Sequence, residues 1–289
     1  MIQVKPGLFL RYEAKADEIP LLVDVSRSGR EYPIDFRSQV PFSAVHDNVS
    51  MHVDDLWGAA PDIGGTLLFA LFPNTYIDVN RDELDIDADL IDGEWPTALK
   101  PTASKRGLGL LKSKSRYGEP MQERKLTVAE IMERLDNYHR PYHAEMRRII
   151  DDFKGRFGKA YQLSCHCMSA IGAPTHVDPG QQRADFCLGF QGNIDGGSTT
   201  ETASRDYVEF LAATIKSFGY TCTINFPYAG GELIKRYGNP SEDVESVLVE
   251  INKKLFMDTK TFRKTPGFDR LKSDLGKILQ AVASKIRGG

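Results

Sequence analysis

Short apolar runs alternate along the chain with longer stretches whose apolar residues recur at helical spacing. The runs predict strands over 21–25, 67–72, 76–79, 160–167, 183–189, 220–225 and 247–252, and the longer stretches predict helices over 49–63, 127–153, 202–218 and 267–286. Residues 1–20 predict an edge segment. Because strands and helices alternate throughout, the pattern predicts a single α/β domain over residues 1–289, a three-layer sandwich around a mixed, largely parallel central sheet.

Three stretches add detail to this pattern. Thr127 and Glu130 predict a capping box at the start of the longest helix, and Pro141 is expected to kink or split that helix. Residues 86–125 are acidic at first and then basic, and they predict a long excursion over the surface, across the site. A loop rich in Gly, Ser and Thr precedes the helix over 202–218.

Composition excludes several classes of protein. The chain has 289 residues, of which 41% are hydrophobic and 27% are charged, as in a globular enzyme or binding protein. A net charge of −3 and a pI near 6.1 give no electrostatic case for a nucleic acid or an anionic membrane. We find no apolar run of membrane-spanning length and no signal-peptide pattern, so a cytoplasmic location is expected. The oligomeric state is left open.

The Asn80-Arg81 pair follows the apolar run over 67–72 and enters an acidic segment. Arg suits the bidentate recognition of a carboxylate, and Asn adds directional hydrogen bonds. A solvated surface arginine is the alternative. Glu250 lies within the apolar run over 247–252, where partly apolar surroundings would raise its pKa and suit it to act as a general base on water. An outward-facing strand residue is the alternative there.

His166 lies between two of the four cysteines, Cys165 and Cys167. On a strand these cysteines share one face and His166 takes the other, so one metal ion cannot readily bind all three. His166 is therefore a candidate ligand, while the cysteines are candidate core residues and free thiols.

Four other histidines are spaced suggestively. His139 and His143 are four residues apart on one helical face, but the glutamate of a zincin motif is missing, which favours a structural role over ligation. His46 and His52 flank an acidic cluster that includes Asp47. That arrangement suits a metal-facing role, although the start of a helix attracts carboxylates in any case.

Eight motifs resemble, in order, those of the N-formylglutamate amidohydrolase (N-formylglutamate deformylase) family. They are SGREYP at 28–33, YIDVNR at 76–81, GLG at 107–109, PYH at 141–143, CHCM at 165–168, RAD at 183–185, NFPYAGG at 225–231 and EIN at 250–252. The resemblance covers residues 20–260. It implies a fold similar to zinc carboxypeptidases and aspartoacylases, and hydrolysis of N-formyl-L-glutamate to formate and glutamate, the last step of one histidine degradation route.

The resemblance also implies roles for individual residues. Glu250 falls where the general base or acid is expected, Asn80 and Arg81 match a clamp for a substrate carboxylate, and His166 matches a metal-ligand histidine. The implied lining of the substrate pocket comprises Arg183, Asn225, Tyr228, Gly230, Gly231 and His143. The implied partner is a small carboxylate-bearing substrate.

This chain departs from the family at the metal ligands. Arg27 stands where the family has the histidine of Pro-His-Ser-Gly, and the family's Asp-Cys-His-Ser is Ser-Cys-His-Cys at 164–167. An acidic residue is expected near Ser50, where Asp47, His46 or His52 are the candidate substitutes. Because arginine cannot ligate zinc and a catalytic zinc needs three protein ligands, the zinc cofactor implied by the resemblance is left open.

Three hypotheses follow from the sequence. In the first, the chain hydrolyses a small carboxylate-bearing N-formyl or N-acyl amide with Glu250 as base, and His166, Asp47 and His52 hold any metal. In the second, a metal-free relative binds a carboxylate through Asn80, Arg81 and Arg27 without hydrolysing it, and Arg27 supplies the charge of the missing zinc. In the third, catalysis is retained and Arg27 recognises an additional anionic group.

Overall fold

A computed structural model of the chain describes residues 1–174, 176–191 and 200–288. The Gly/Ser/Thr loop predicted before residue 202 lies mostly outside these ranges. Within them, no helix is long and apolar enough to cross a bilayer.

An eight-stranded mixed sheet forms the centre of the molecule, with strand order β1-β2-β4-β3-β7-β10-β8-β9. In chain order the strands are β1 (Ile2–Lys5), β2 (Phe9–Tyr12), β3 (Leu21–Val25), β4 (Thr66–Ala70), β5 (Ile91–Asp92), β6 (Leu126–Thr127), β7 (Ala160–Met168), β8 (Phe186–Gly189), β9 (Cys222–Ile224) and β10 (Val244–Asn252). Strands β5 and β6 form a separate small sheet. In the large sheet the neighbours β4/β3, β3/β7, β7/β10 and β8/β9 are parallel, and β1/β2, β2/β4 and β10/β8 are antiparallel. The predicted fold class is confirmed.

Helices cover both faces of this sheet. They are α1 (Phe42–His46), α2 (Val53–Leu56), α3 (Val128–Arg134), α4 (Arg140–Phe157), α5 (Arg205–Ser217), α6 (Glu232–Tyr237) and α7 (Gly267–Gly288). Apolar residues of α2, α5 and α7 share one buried cluster with alternate residues of β3, β7 and β10. Apolar residues of α3, α4 and α6 form the cluster on the opposite face. Burial on both faces explains why the central strands read as nearly continuous apolar runs.

Two predicted elements were wrong. The strand predicted over 76–79 is a series of turns, because the Asp78 side chain accepts the Asn80 N–H at 3.0 Å and its carbonyl accepts the Arg81 N–H at 3.1 Å. Such local bonds replace a strand ladder. The helix predicted over 49–63 is reduced to α2 and a 3-10 turn at Ala60–Ile63, since His52 begins α2 in the left-handed region at φ 66°.

The longest predicted helix is interrupted next to Pro141, as expected from the sequence. A π-helical turn at Leu135–His139 separates α3 from α4, and Pro141 lies in the first turn of α4. Proline has no N–H to give to the preceding turn, so the wider turn accommodates it. The capping box of Thr127 and Glu130 is confirmed.

The excursion over 86–125 packs into the domain. The Asp85 carboxylate accepts backbone N–H groups from Thr102, Ala103 and Ser104 at 2.7 to 3.1 Å. Leu110 and Leu111 are completely buried. The excursion therefore reaches back to the sheet edge that carries the site.

Candidate active site

The parallel strands β3, β7 and β10 end at one edge of the sheet, which is where α/β folds place ligands. This edge brings together Arg27, which follows β3, His166 in β7 and Glu250 in β10. His166 and Glu250 are direct partners in the β7–β10 register. Their neighbours Cys165 and Val249 belong to the core on the other face, so His166 and Glu250 point together toward the α4 side. The predicted alternation of Cys165, His166 and Cys167 is confirmed.

Glu250 is a buried carboxylate with an unused oxygen. Its side chain is 6% exposed, and Oε2 has no hydrogen-bond partner among the described residues. Burial raises the pKa of Glu250 to about 7, against the opposing charges of Arg27, Arg183 and Lys253. A carboxylate with such a pKa is suited to exchange a proton near neutral pH.

His166 is held in one orientation by Asn80. The Leu233 N–H donates to Asn80 Oδ1 at 3.0 Å, which turns the amide Nδ2 of Asn80 toward His166 Nε2 at 3.4 Å. Ser164 Oγ lies 3.1 Å from the same nitrogen. Nε2 is therefore the acceptor and the ring proton lies on Nδ1, which has no partner within the described ranges. Burial holds the pKa of His166 well below its usual value, so the ring is neutral.

Arg27 is fixed by a buried carboxylate that the sequence analysis did not single out. Asp78 accepts Arg27 Nε at 3.1 Å and Nη2 at 2.6 Å, and its Oδ2 also accepts Lys112 Nζ at 2.6 Å. Burial would raise the pKa of Asp78, but the charges of Arg27 and Lys112 outweigh it and hold that pKa well below its usual range. The only indication of this role in the local sequence was the position of the Asp78 carboxylate within the apolar run over 76–79.

Arg81 is tied to backbone carbonyls. Its Nε donates to Leu108 O at 2.9 Å and its Nη1 to Asn80 O at 2.8 Å. His139 Nε2 donates to Arg81 O at 2.9 Å. These bonds leave Nη2 of Arg81 for a ligand and argue against a loosely solvated surface arginine.

His143 supports the loop that carries Asn80 and Arg81, and both of its ring nitrogens are used within the protein. Its Nε2 donates to Val79 O at 2.8 Å, and its Nδ1 lies 2.8 Å from the Tyr237 hydroxyl. Both ring nitrogens are thus engaged within the protein. These bonds favour a positioning role for His143 under the loop that carries Asn80, and its predicted place in the pocket lining stays a prediction.

Arg183 and Tyr228 form the other flank of the site. Arg183 pairs with Asp178 through Nε at 2.7 Å and Nη2 at 2.5 Å, and both side chains are almost completely buried. Its guanidinium lies 5.0 Å from the centre of the Tyr228 ring. Burial and then the charge of Glu250 raise the pKa of Tyr228 to about 12. Asp178 escaped the sequence analysis, since nothing in the pattern links it to Arg183.

Asn225 and the two glycines shape the backbone beside the site. Asn225 Oδ1 accepts the Phe190 N–H at 2.9 Å. Gly230 has φ +117°, and a Cβ there would lie 2.0 Å from Ile234 Cδ1. A Cβ at Gly231 would lie 2.4 Å from Asn80 Oδ1. The backbone of Gly231 therefore approaches the Asn80 amide too closely for a side chain at that position.

Ser50 links the segments that carry Arg27 and His166. The Ser50 N–H donates to Arg27 O at 2.8 Å, and Ser50 Oγ accepts the Cys167 N–H at 3.3 Å. Ser50 therefore lies between the segments that carry Arg27 and His166. Of these three positions, only His166 offers a good zinc donor.

The candidate substitutes for the missing ligands have other partners. Asp47 binds Arg116 at 2.7 Å and lies 3.5 Å from Lys253 Nζ. His52 Nε2 lies 2.9 Å from Phe262 O, and His46 Nδ1 lies 2.8 Å from the Tyr32 hydroxyl. Across the described ranges, no three His, Cys, Asp or Glu side chains are grouped to hold a metal ion. The structure does not group His166, Asp47 and His52 as a ligand set, and these residues as placed do not fit a catalytic zinc.

Comparison with solved structures supports the fold and the family. The chain superimposes on an N-formylglutamate amidohydrolase from Ralstonia eutropha JMP134 with a TM-score of 0.89 and 35% identity, covering 98% of this chain and 99% of that one. A gene product of Agrobacterium tumefaciens, 15% identical with a TM-score of 0.60, covers 96% of each chain and shares the fold.

Sequence comparison agrees. An N-formylglutamate deformylase of Pseudomonas putida is 24% identical over 271 residues, which is 93% of this chain and 91% of the relative. The corresponding enzyme of Pseudomonas aeruginosa is 24% identical over 275 residues, with 94% and 92% covered. The model of the N-formylglutamate amidohydrolase family matches residues 19–257. The chain therefore belongs to the N-formylglutamate amidohydrolase family.

Proposed function

We propose that this chain hydrolyses a small carboxylate-bearing N-formyl or N-acyl amide similar to N-formyl-L-glutamate. The observation that carries the proposal is a pair of buried polar atoms on adjacent strands, His166 Nδ1 and Glu250 Oε2, that have no hydrogen-bond partner among the described residues. Buried polar atoms in proteins nearly always have partners. A substrate amide and a water molecule would supply both partners here.

Glu250 acts as the base in this reaction. It takes a proton from water while the water oxygen attacks the amide carbon, and the carbonyl electron pair moves onto the amide oxygen. The carbon–nitrogen bond then breaks, and the proton held by Glu250 passes to the leaving nitrogen. The products are a carboxylic acid, formate for a formyl amide, and a free amine. A pKa of about 7 lets Glu250 act in both steps.

The substrate carboxylate binds to the cationic side of the site. Nη2 of Arg81 is left over from the bonds to Leu108 and Asn80, and an arginine held in this way recognises a carboxylate with little loss of side-chain freedom. The named activity of the two Pseudomonas relatives, deformylation of N-formylglutamate, fits a carboxylate-bearing amide.

A second candidate is a carboxylate-binding protein without hydrolytic activity. The observation that favours it is the buried Arg27–Asp78 pair, at the position where the motif resemblance implies a metal-ligand histidine. Under this candidate Arg27, Asn80 and Arg81 bind the ligand and Glu250 has no catalytic role.

One assay separates the two candidates. Purified protein is incubated with N-formyl-L-glutamate, and formate is measured with a coupled dehydrogenase while binding is followed by calorimetry. Turnover that Glu250→Gln abolishes, and that Glu245→Gln on the same strand retains, supports hydrolysis. Binding without formate release supports the second candidate. N-formyl-L-glutamate diamide, which lacks both carboxylates, tests the need for the carboxylate.

A further inference from the structure

We propose that this chain catalyses its reaction without a metal ion, and that Arg27 supplies the positive charge at the amide oxygen. The inference deepens the proposed function and rests on it for the identity of the reaction. Three observations carry it: the position of Arg27, the way that Arg27 is held, and the charge that remains around it.

By the motif resemblance, Arg27 stands where the family has the histidine of Pro-His-Ser-Gly. Ser50 bridges the backbone of Arg27 to the backbone of Cys167, next to His166. Arg27, Ser50 and His166 are therefore neighbours at the end of two parallel strands. Two of these three side chains are poor zinc ligands, so the site is rebuilt around a guanidinium.

The hydrogen bonds of Arg27 fix its direction. Asp78 occupies Nε and Nη2, and no side chain or carbonyl of the described residues accepts a bond from Nη1. The bidentate pair is buried, with Asp78 completely so and the Arg27 side chain 17% exposed. A preorganised donor of this kind stabilises an oxyanion without reorganising during the reaction.

Lys112 is a second cation beside Asp78 and adds positive charge to this group while it is protonated. Asp78 carries one negative charge, and both Arg27 and Lys112 bind it, so the three residues carry a net charge of +1 when all are ionised. Burial lowers the pKa of Lys112 while Asp78 opposes that shift. A divalent cation placed beside this group would be repelled, whereas an oxyanion would be attracted.

In the reaction, Arg27 acts only through hydrogen bonding and charge. Glu250 removes the proton from water, the new carbon–oxygen bond forms, and the electron pair that moves to the amide oxygen is stabilised by Nη1 of Arg27. When the carbon–nitrogen bond breaks, that electron pair returns to carbon and the proton on Glu250 goes to the nitrogen. Arg27 keeps its proton throughout, and no co-reactant other than water is needed.

The first test uses zinc alone and needs no substrate. Wild-type protein is treated with a chelator, desalted and titrated with ZnCl₂ in competition with a chromophoric chelator. We expect no stoichiometric site in the wild type. The double variant Arg27→His/Ser50→Glu, which restores the family's donors, serves as the positive control. One equivalent of zinc bound by the wild type and lost in His166→Ala would overturn the proposal.

The second test addresses the role of Arg27 in turnover. Arg27→Lys keeps a cation beside Asp78 and so preserves the fold, but it removes the planar fork. We expect kcat to fall by about 100-fold or more with KM changed by less than about 3-fold, and wild-type activity to be unaffected by chelators. Loss of wild-type activity on chelation, restored by zinc, contradicts metal independence. If no amide is hydrolysed, the proposed function fails, while the zinc titration still decides the metal question.

Discussion

Glu250 and His166 are paired in the β7–β10 register, and their side chains lie side by side on one face of the sheet. Each has one buried polar atom without a hydrogen-bond partner in the described part of the chain. Their environments push them in the same direction, toward the uncharged form: burial raises the pKa of the acid and lowers the pKa of the base. The site thus holds a neutral donor beside a carboxyl group that titrates near pH 7.

The pH dependence of activity should report Glu250. Because the base must be ionised, we expect kcat/KM to rise with pH through a pKa of about 7 and then to level off. The measurement is formate release from pH 5 to 9 at constant ionic strength. A profile that is flat between pH 5 and 8 would contradict the assignment of Glu250 as base.

The free energy of unfolding should also depend on the ionisation of Glu250, but it should fall as pH rises, whereas activity should increase. The pKa of Glu250 is raised from 4.5 to about 7 on folding, so the folded state binds more protons than the unfolded state between these values. Stability therefore falls as pH rises across this window. We expect the Glu250→Gln variant to lack this dependence. Its free energy of unfolding, relative to that of the wild type, should therefore rise by up to about 3 kcal/mol between pH 4.5 and pH 8. Urea denaturation at the two pH values measures it. Equal pH dependence in the two proteins would show that Glu250 does not titrate in this range.

Substitution of Gly231 should impair substrate binding through Asn80. An alanine Cβ would lie 2.4 Å from Asn80 Oδ1, although the backbone φ of −116° suits any residue. Asn80 must move, which displaces the donor to His166, and we expect KM to rise about 10-fold, equivalent to about 1.4 kcal/mol.

The matched control for this substitution is Gly155→Ala. No heavy atom lies within 4 Å of a Cβ at Gly155, which is within α4, so stability should rise by up to about 1 kcal/mol with KM unchanged. Steady-state kinetics and thermal unfolding of both variants test the pair. An unchanged KM for Gly231→Ala would contradict the role given to Asn80.

Breaking the Arg183–Asp178 pair should be costly. Asp178→Asn leaves a guanidinium that is 1% exposed without its counter-charge, and we expect a loss of about 3–5 kcal/mol in unfolding free energy. Asp151→Asn, in the exposed pair with Arg147, should change stability by less than about 0.5 kcal/mol. Urea denaturation measures both. Similar small effects at the two sites would mean that Arg183 finds another partner.

The sequence predicted best what depends on local periodicity. The two-residue repeat of β7 placed His166 opposite Cys165 and Cys167, and the apolar setting of Glu250 predicted its burial and raised pKa. The strand over 76–79 was wrong because a single side chain, Asp78, satisfies the Asn80 N–H locally. Periodicity does not record such a competition between side chain and backbone.

Contacts across long stretches of chain could not be predicted. Lys112 binds Asp78, which is 34 residues earlier in the chain, and it lies in an excursion with little regular structure. No pattern in either segment indicates the other. The position of Ser50 beside Arg27 likewise depends on where the chain enters α2. This placement, more than any motif, decides which side chains could reach a metal.

The burial of Lys112 has a consequence for protein engineering. The excursion over 86–125 looks like a surface insertion that a protein engineer would delete or exchange between homologues. Removing it would also remove one of the two cations that bind Asp78 and lower the net charge of that group from +1 to 0. A chimera that transplants this site must carry the insertion with it, since scaffold and insertion share a single buried ionic network.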